Sequence, residues 1–137
     1  MSDSSEIDAA LSQKLLTDAT LTALMPDGVY FDAAASSKTK FVIISLLSEE
    51  DEQMFGGRAF EDGLYLVKAV ALETTGANVK AAAARIDILL ENGTLTIAGY
   101  TVMRMQRVAR VRYTEVDEQN DARWQHRGGH YALTVSS

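Results

Sequence analysis

The chain has 137 residues, 47% of them apolar, a formal net charge of −6 and no cysteine. That length supports one compact domain with its own core and is short for two. The acidic balance argues against a sequence-independent grip on nucleic acid, which needs clustered Lys and Arg to displace phosphate counterions, and the missing cysteines exclude a disulfide framework, a thiolate metal cage and a cysteine nucleophile.

Residues 1–6 carry two acids and no basic cluster. No apolar stretch reaches the ~20 residues that cross a bilayer. The sequence therefore predicts neither an export signal nor a membrane anchor, and a reducing cytoplasm suits a cysteine-free chain.

In chain order, Ile7, Ala10, Leu11 and Leu15 recur at helical spacing and predict a helix over 4–16, with Ser4 or Ser5 as N-cap. Thr17 or Asp18 caps a short second helix over 19–25, with Leu21, Leu24 and Met25 inward, and the only proline, in Pro26-Asp27-Gly28, stops it. Residues 29–31 read as a short strand, 32–39 as a small and polar loop, and 40–48 as a strand whose apolar, β-branched stretch 41–47 belongs in a core. A charged, glycine-containing loop is expected over 49–57.

Residues 59–73 form a strand with Leu64, Leu66, Val70 and Leu72 on one face and Tyr65, Val67, Ala69 and Ala71 on the other, so both faces are expected to be covered. Thr74 or Thr75 caps a helix over 77–90 with Val79, Ala83, Ile86 and Leu90 as its buried stripe, ended by Asn92-Gly93. Strands follow over 94–97, 100–113 and 124–135, with a turn at Ala98-Gly99 and a polar loop over 114–121. No internal repeat is visible. Hairpin-like links within the strand groups, without a strict βαβ alternation, give an α+β fold: a mainly antiparallel sheet with two principal helices packed on one face, in a single domain over 1–137.

Catalytic patterns are sparse. His126 and His130 flank Gly128-Gly129, but two histidines four apart on a strand sit about 13 Å from each other at ~3.3 Å per residue, unless a bulge at the glycines shortens the path. No Gly-x-Ser-x-Gly elbow accompanies the serines. Gly56-Gly57-Arg58 lacks the rest of a phosphate loop and precedes a strand rather than a helix. No catalytic residue, cofactor or metal is assigned, and the chain is read as a non-enzyme.

Two charged segments stand out instead. Glu49, Glu50, Asp51 and Glu52 form the densest acidic run, followed by Met54, Phe55 and Arg58. Without EF-hand spacing, the run reads as an exposed contact loop with apolar residues at its tip. On the long strand, period-two alternation puts Arg104, Arg110 and Arg112 on one face with Val102 and Val108, near Arg107. That face is either solvated or receives the acidic run of a neighbouring copy, a head-to-tail contact that builds a ring when its rotation closes.

With these residues the chain resembles the tail completion, or tail-to-head joining, proteins of long-tailed bacteriophages, which include the tail terminators of lambda-like siphophages. The similarity lies in Ile7-Asp8-Ala9-Ala10-Leu11, residues 18–24, Val29-Tyr30, the strands 41–47 and 64–72, the alanine-rich helix 77–90, Gly93-Thr94-Leu95 and Gln125-His126-Arg127-Gly128. The loop 32–39 departs from it, carrying alanines and serines where relatives often carry prolines. The resemblance implies a virion protein at the head–tail junction, made in the host cytoplasm. It also implies a homohexameric ring that caps the tail tube, halts its polymerisation and meets the tube protein on one side and a head-completion or neck protein on the other. Six copies would carry 6 × −6 = −36 formal charges, suited to passing DNA through a lumen rather than binding it. Two other classes fit the composition. One is a cytoplasmic dimeric α+β module binding a small ligand or regulatory protein, which an apolar pocket with convergent polar groups would favour; the other is a hydrolase or metal enzyme built on His126, His130 and nearby acids.

Overall fold

The computed structural model describes residues 5–34, 37–54, 57–91 and 95–136, with backbone alone at residue 5 and over 49–54 and 57–60. Its elements are α1 (Ser5–Leu16), α2 (Ala19–Leu24), β1 (Val29–Phe31), β2 (Lys40–Met54), β3 (Gly57–Leu72), α3 (Ala77–Leu90), β4 (Thr101–Asp117) and β5 (Ala122–Ser136). The strands form one sheet in the order β1-β2-β3-β5-β4, with all three helices on one face. The fold is α+β and mainly antiparallel, as the sequence predicts.

Ile7, Leu11 and Leu15 lie four residues apart, one turn each, and all three are buried on one stripe of α1. α2 is too short to be stable alone. It is held at its start by Asp18, whose carboxylate accepts the Leu21 N–H at 2.9 Å and two bonds from Arg85 on α3 at 2.9 and 2.7 Å. The Arg85 guanidinium is the main reason the Asp18 pKa is lowered to about 2. One carboxylate thus caps α2 and ties it to α3.

On α3 the buried residues are Val79, Ala82, Ile86 and Leu90. Neither Thr74 nor Thr75 caps this helix. Gly76 is the N-cap without a side-chain bond, and the Glu73 carboxylate serves the first turn instead, accepting from the Asn78 N–H at 3.3 Å and its Nδ2 at 2.9 Å. The sheet beneath α3 contributes Tyr65, Val67, Ala69 and Ala71 from β3 and Tyr131, Leu133 and Val135 from β5, all buried in the same cluster. Each large apolar side chain buried here contributes about 1.5–3 kcal/mol relative to exposure.

The opposite face is covered only in part. Phe41, Ile43 and Val70 form a small second cluster with Tyr30 and Trp124, while Leu72 remains 38% exposed. The expectation that both faces of β3 are covered holds only for this patch.

Four features differ from expectation. β1 and β2 are parallel rather than hairpin-linked. The Asp27 carboxylate accepts the Thr39 and Lys40 N–H groups, each at 3.0 Å, and so returns the chain to the start of β1 before β2 begins. Of the expected loop 49–57, residues 49–54 and 57 are strand, because β2 and β3 stay paired out to Met54↔Gly57. Conversely, the strand expected over 94–97 does not form among the described residues. Leu95 and Ile97 are buried in the core, and only an Ile97↔Tyr100 bridge forms around Gly99, whose φ is 82°. The loop expected over 114–121 contracts to a turn after Asp117, whose Oδ1 accepts from the Gln119 and Asn120 N–H groups. The expected stop at Asn92-Gly93 and the cap residue Ser4 lie outside the described residues.

Candidate interaction surfaces

β4 is an edge strand 17 residues long, paired only with β5. Its pairing slips twice, between Val102 and Arg104 and between Arg107 and Ala109, so Met103 and Val108 are extra residues in the ladder. Each bulge reverses which face the following residues occupy. Arg104 therefore lies opposite Thr134, Arg107 opposite Tyr131, Arg110 opposite Gly129 and Arg112 opposite Arg127. Tyr131 and Gly129 belong to the helix side of β5. The predicted trio is corrected: Arg110 and Arg112 share the helix-side face with Arg107, and Arg104 is on the other. Unbroken alternation from the sequence cannot see a bulge, and the trace it leaves is two apolar bulge residues, Met103 and Val108, that are 56% and 55% exposed.

α3 does not reach across the whole of this face. Between it and the β4–β5 half of the sheet is a groove of about 650 Å³. Lys80, Ala83, Ala84 and Ile88 of α3 line one wall; Arg107, Arg110, Arg112, Arg127 and Tyr131 line the rest. The alanines keep it open. Asp87 is the lining carboxylate, and it is already engaged by Arg107 at 3.0 Å and by the Tyr131 hydroxyl at 3.0 Å. Burial and the Asp87 charge raise the Tyr131 pKa, so the phenol stays a donor. Five cations less one carboxylate leave a formal charge of +4 along the groove of a chain whose total is −6. Lys80, Arg110, Arg112 and Arg127 have no ion-pair partner among the described residues.

The paired glycines shape this floor. A Cβ on Gly128 would sit 2.1 Å from the Val67 carbonyl oxygen, and one on Gly129 would sit 2.9 Å from that of Ala109. They make no bulge in β5; they let it lie close to β3 on one side and β4 on the other.

The acidic run lies at the other edge of the sheet. β1 pairs with β2 only over Val42–Ile44, so among the described residues the outer edge of β2 is unpaired beyond that point. Glu49, Glu50, Asp51 and Glu52 occupy this open edge in register with Gly63, Asp62, Glu61 and Phe60. β3 leaves β5 at Glu61↔Val135, so beyond that pair β2 and β3 continue as a two-stranded projection that carries Met54 and Arg58. Phe55 lies outside the described residues. Within one chain the acidic edge and the arginine edge are on opposite sides of the sheet and are not brought together.

A third feature is on the face away from the helices. A pocket of about 350 Å³ has Phe41, Ile43, Val70 and Trp124 as its apolar lining, with Asp32, Lys38, Lys68, Glu115 and His126 around them. The His126 ring stacks on Tyr113 with centroids 4.2 Å apart, and its Nε2 lies 3.1 Å from the Glu115 carboxylate. Burial, reinforced by Lys68, lowers its pKa below 6.5 despite Glu115. His130 pairs with Ala109 four rows further along. Among the described residues no group of three or more His, Asp or Glu is placed to hold a metal.

No protein-family model matches the chain, and no curated protein matches it. Solved structures do. One is a chain of the virion of a native gene transfer agent particle, 22% identical, covering 96% of this chain and 95% of that one with a TM-score of 0.72. A second is 14% identical, covering 99% of this chain and 96% of its own with a TM-score of 0.58. Both likenesses run nearly end to end, so the whole α+β domain is the shared unit. No helix among the described residues is long and apolar enough to cross a membrane.

Proposed function

We propose that the chain is a structural virion protein, a tail-terminator-like subunit that closes into a ring of six copies, as the resemblance to that family implies, and joins tail to head. The observation that carries this reading is the end-to-end likeness to a chain of the gene transfer agent virion, at a TM-score of 0.72. It agrees with a resemblance found in the residues without any structure. A single sheet with two open edges of unlike charge supports it further, because unlike edges make a heterologous contact, and such contacts build rings when they close.

In this reading the protein has no catalytic role. Its binding energy comes from contacts between copies, which in permanent assemblies bury on the order of 2,000 Å² or more. The candidates for these contacts are Arg104, Arg110 and Arg112 on one edge and Glu49–Glu52 with Arg58 on the other. The projection that holds Met54 reaches along the tail axis to the last ring of tube protein, and Phe55, next in the sequence, is the second apolar candidate for that contact. A ring carrying the chain's net negative charge lets DNA pass through its lumen without holding it.

The projection offers a direct test. A chain lacking residues 50–58, joined by a short turn, keeps every residue of the core described above and is expected to fold with an unchanged circular dichroism spectrum. In particles it should fail to cap tails, giving tubes of uncontrolled length. Tails of normal length in that background would remove the capping role.

A second reading, a module that binds a small ligand, is favoured by the 350 Å³ outer-face pocket and its mixed apolar and charged lining. The only tryptophan, Trp124, lines that pocket, so this reading requires a saturable change in tryptophan fluorescence with a small-molecule ligand.

A further inference from the structure

We propose that the basic groove between α3 and the β4–β5 half of the sheet is the receptor for the acidic β2 edge of a second copy of this chain. The proposal rests on the ring reading and names the interface that closes it.

The groove needs an anionic occupant. Its one lining carboxylate, Asp87, is used by Arg107 and Tyr131, which leaves Lys80, Arg110, Arg112 and Arg127 as cations without an ion-pair partner among the described residues. Like charges gathered on one surface repel one another, and a partner of opposite sign relieves that repulsion. The chain itself carries a matching element. Residues 49–52 are four consecutive acids on a strand whose outer edge has no neighbour beyond Ile44 among the described residues.

Strand direction permits the match. β2 is antiparallel to β3, β3 to β5 and β5 to β4, so β2 and β4 run in opposite senses. When copies are related by rotation about a ring axis, the β2 edge of one copy meets the β4 edge of the next as an antiparallel pair, the pairing used by every other long strand of this sheet. The rows of the sheet also fix the offset. Through β3 and β5, Glu49 shares a row with Met105 and Asp51 with Val102, whereas the groove cations of β4 that are not engaged by Asp87 lie at 110 and 112. Bringing the acidic run onto the groove therefore needs a shift of several residues along the strand from copy to copy. Closing a sheet into a barrel demands a stagger of this kind.

Nucleic acid is the other polyanion that a basic groove can hold, but the chain's total of −6 opposes its approach, and the groove fits a short acidic strand supplied by the same molecule.

The test is a charge exchange read by sedimentation and negative-stain microscopy. One variant reverses the run (E49K/E50K/D51K/E52K) and another reverses the groove (K80E/R110E/R112E/R127E), with far-ultraviolet circular dichroism verifying that each folds. Wild type is expected to form closed assemblies that weaken as salt rises, because exposed charge pairs are screened. Each variant alone should assemble more than about a hundredfold more weakly, since like charges then face each other. A 1:1 mixture of the two should recover assembly, because in an alternating ring every interface again joins opposite charges. If a variant does not fold, single reversals R112E and E49K, which lie on the same face of the sheet, replace it, with the same recovery on mixing. Wild-type rings together with rings from either variant would overturn the groove assignment and leave the ring reading standing. A wild type that stays monomeric at every concentration would overturn both. Tight binding of a short DNA duplex by wild type, lost in the groove variant, would assign the groove to phosphate instead.

Discussion

Gly128 is the residue on which the sheet depends most closely. A side chain there meets the Val67 carbonyl oxygen at 2.1 Å and the Lys68 Cα at 2.4 Å, both backbone atoms that move only if the strands part. Gly128→Ala is expected to destabilise the fold by about 1–3 kcal/mol, the usual cost of forcing volume into packed structure, and to disturb the groove whose floor it forms. Thermal melts measure this, and a variant as stable as wild type would show that β5 does not need the close approach. At His126 the sign of the pH effect follows from burial. Its folded pKa lies below the ordinary 6.5, so the unfolded chain takes up the proton first as pH falls. The full stability is present above pH 6.5 and declines as pH drops through 6.5 toward the folded value. His126→Phe keeps an aromatic ring against Tyr113 without titrating. Wild type should lose more melting temperature between pH ~7.5 and ~5 than this variant, and equal losses would show that His126 is not responsible.

At the scale of elements, β4 carries the main lesson. Its strand character is legible in the sequence, as are α1, α2, α3 and the start of β2, although β4 runs to Asp117 rather than ending at Tyr113. Its faces are not legible. The two bulges depend on how β4 is paired with β5, and nothing local to Met103 or Val108 announces them. Bulges also protect an edge strand from promiscuous pairing, as do the arginines beside them. The same limit hid the extension of β2 and β3. Four consecutive acids read as a solvated loop, yet a strand separates neighbouring side chains onto opposite faces and is held here by continuous pairing with β3. The groove was legible only in part. Arg110 and Arg112 were visible as candidates, but Lys80 and Arg127 come from other elements, and only the fold gathers them. Ala83, read from the sequence as part of the buried stripe of α3, is instead replaced there by Ala82 and lines the groove with Ala84 beside those cations.

For the whole molecule, the acidic total conceals a polarised distribution. One edge of the sheet bears a groove of formal charge +4, and the opposite edge bears the acidic run, in a chain of net −6. A subunit charged in this way attracts copies of itself in one orientation, which is what an open-ended or closed head-to-tail assembly requires. The sheet offers both open edges on one domain, and the likeness to a virion chain extends over 96% of the length, so the proposed role uses the entire fold and not a local motif. The most direct measurement is the mass of the purified chain in solution across a range of concentrations, with images of the species formed. The account predicts a single closed ring of defined copy number; a monomer at all concentrations, or open filaments with no closed species, would contradict it.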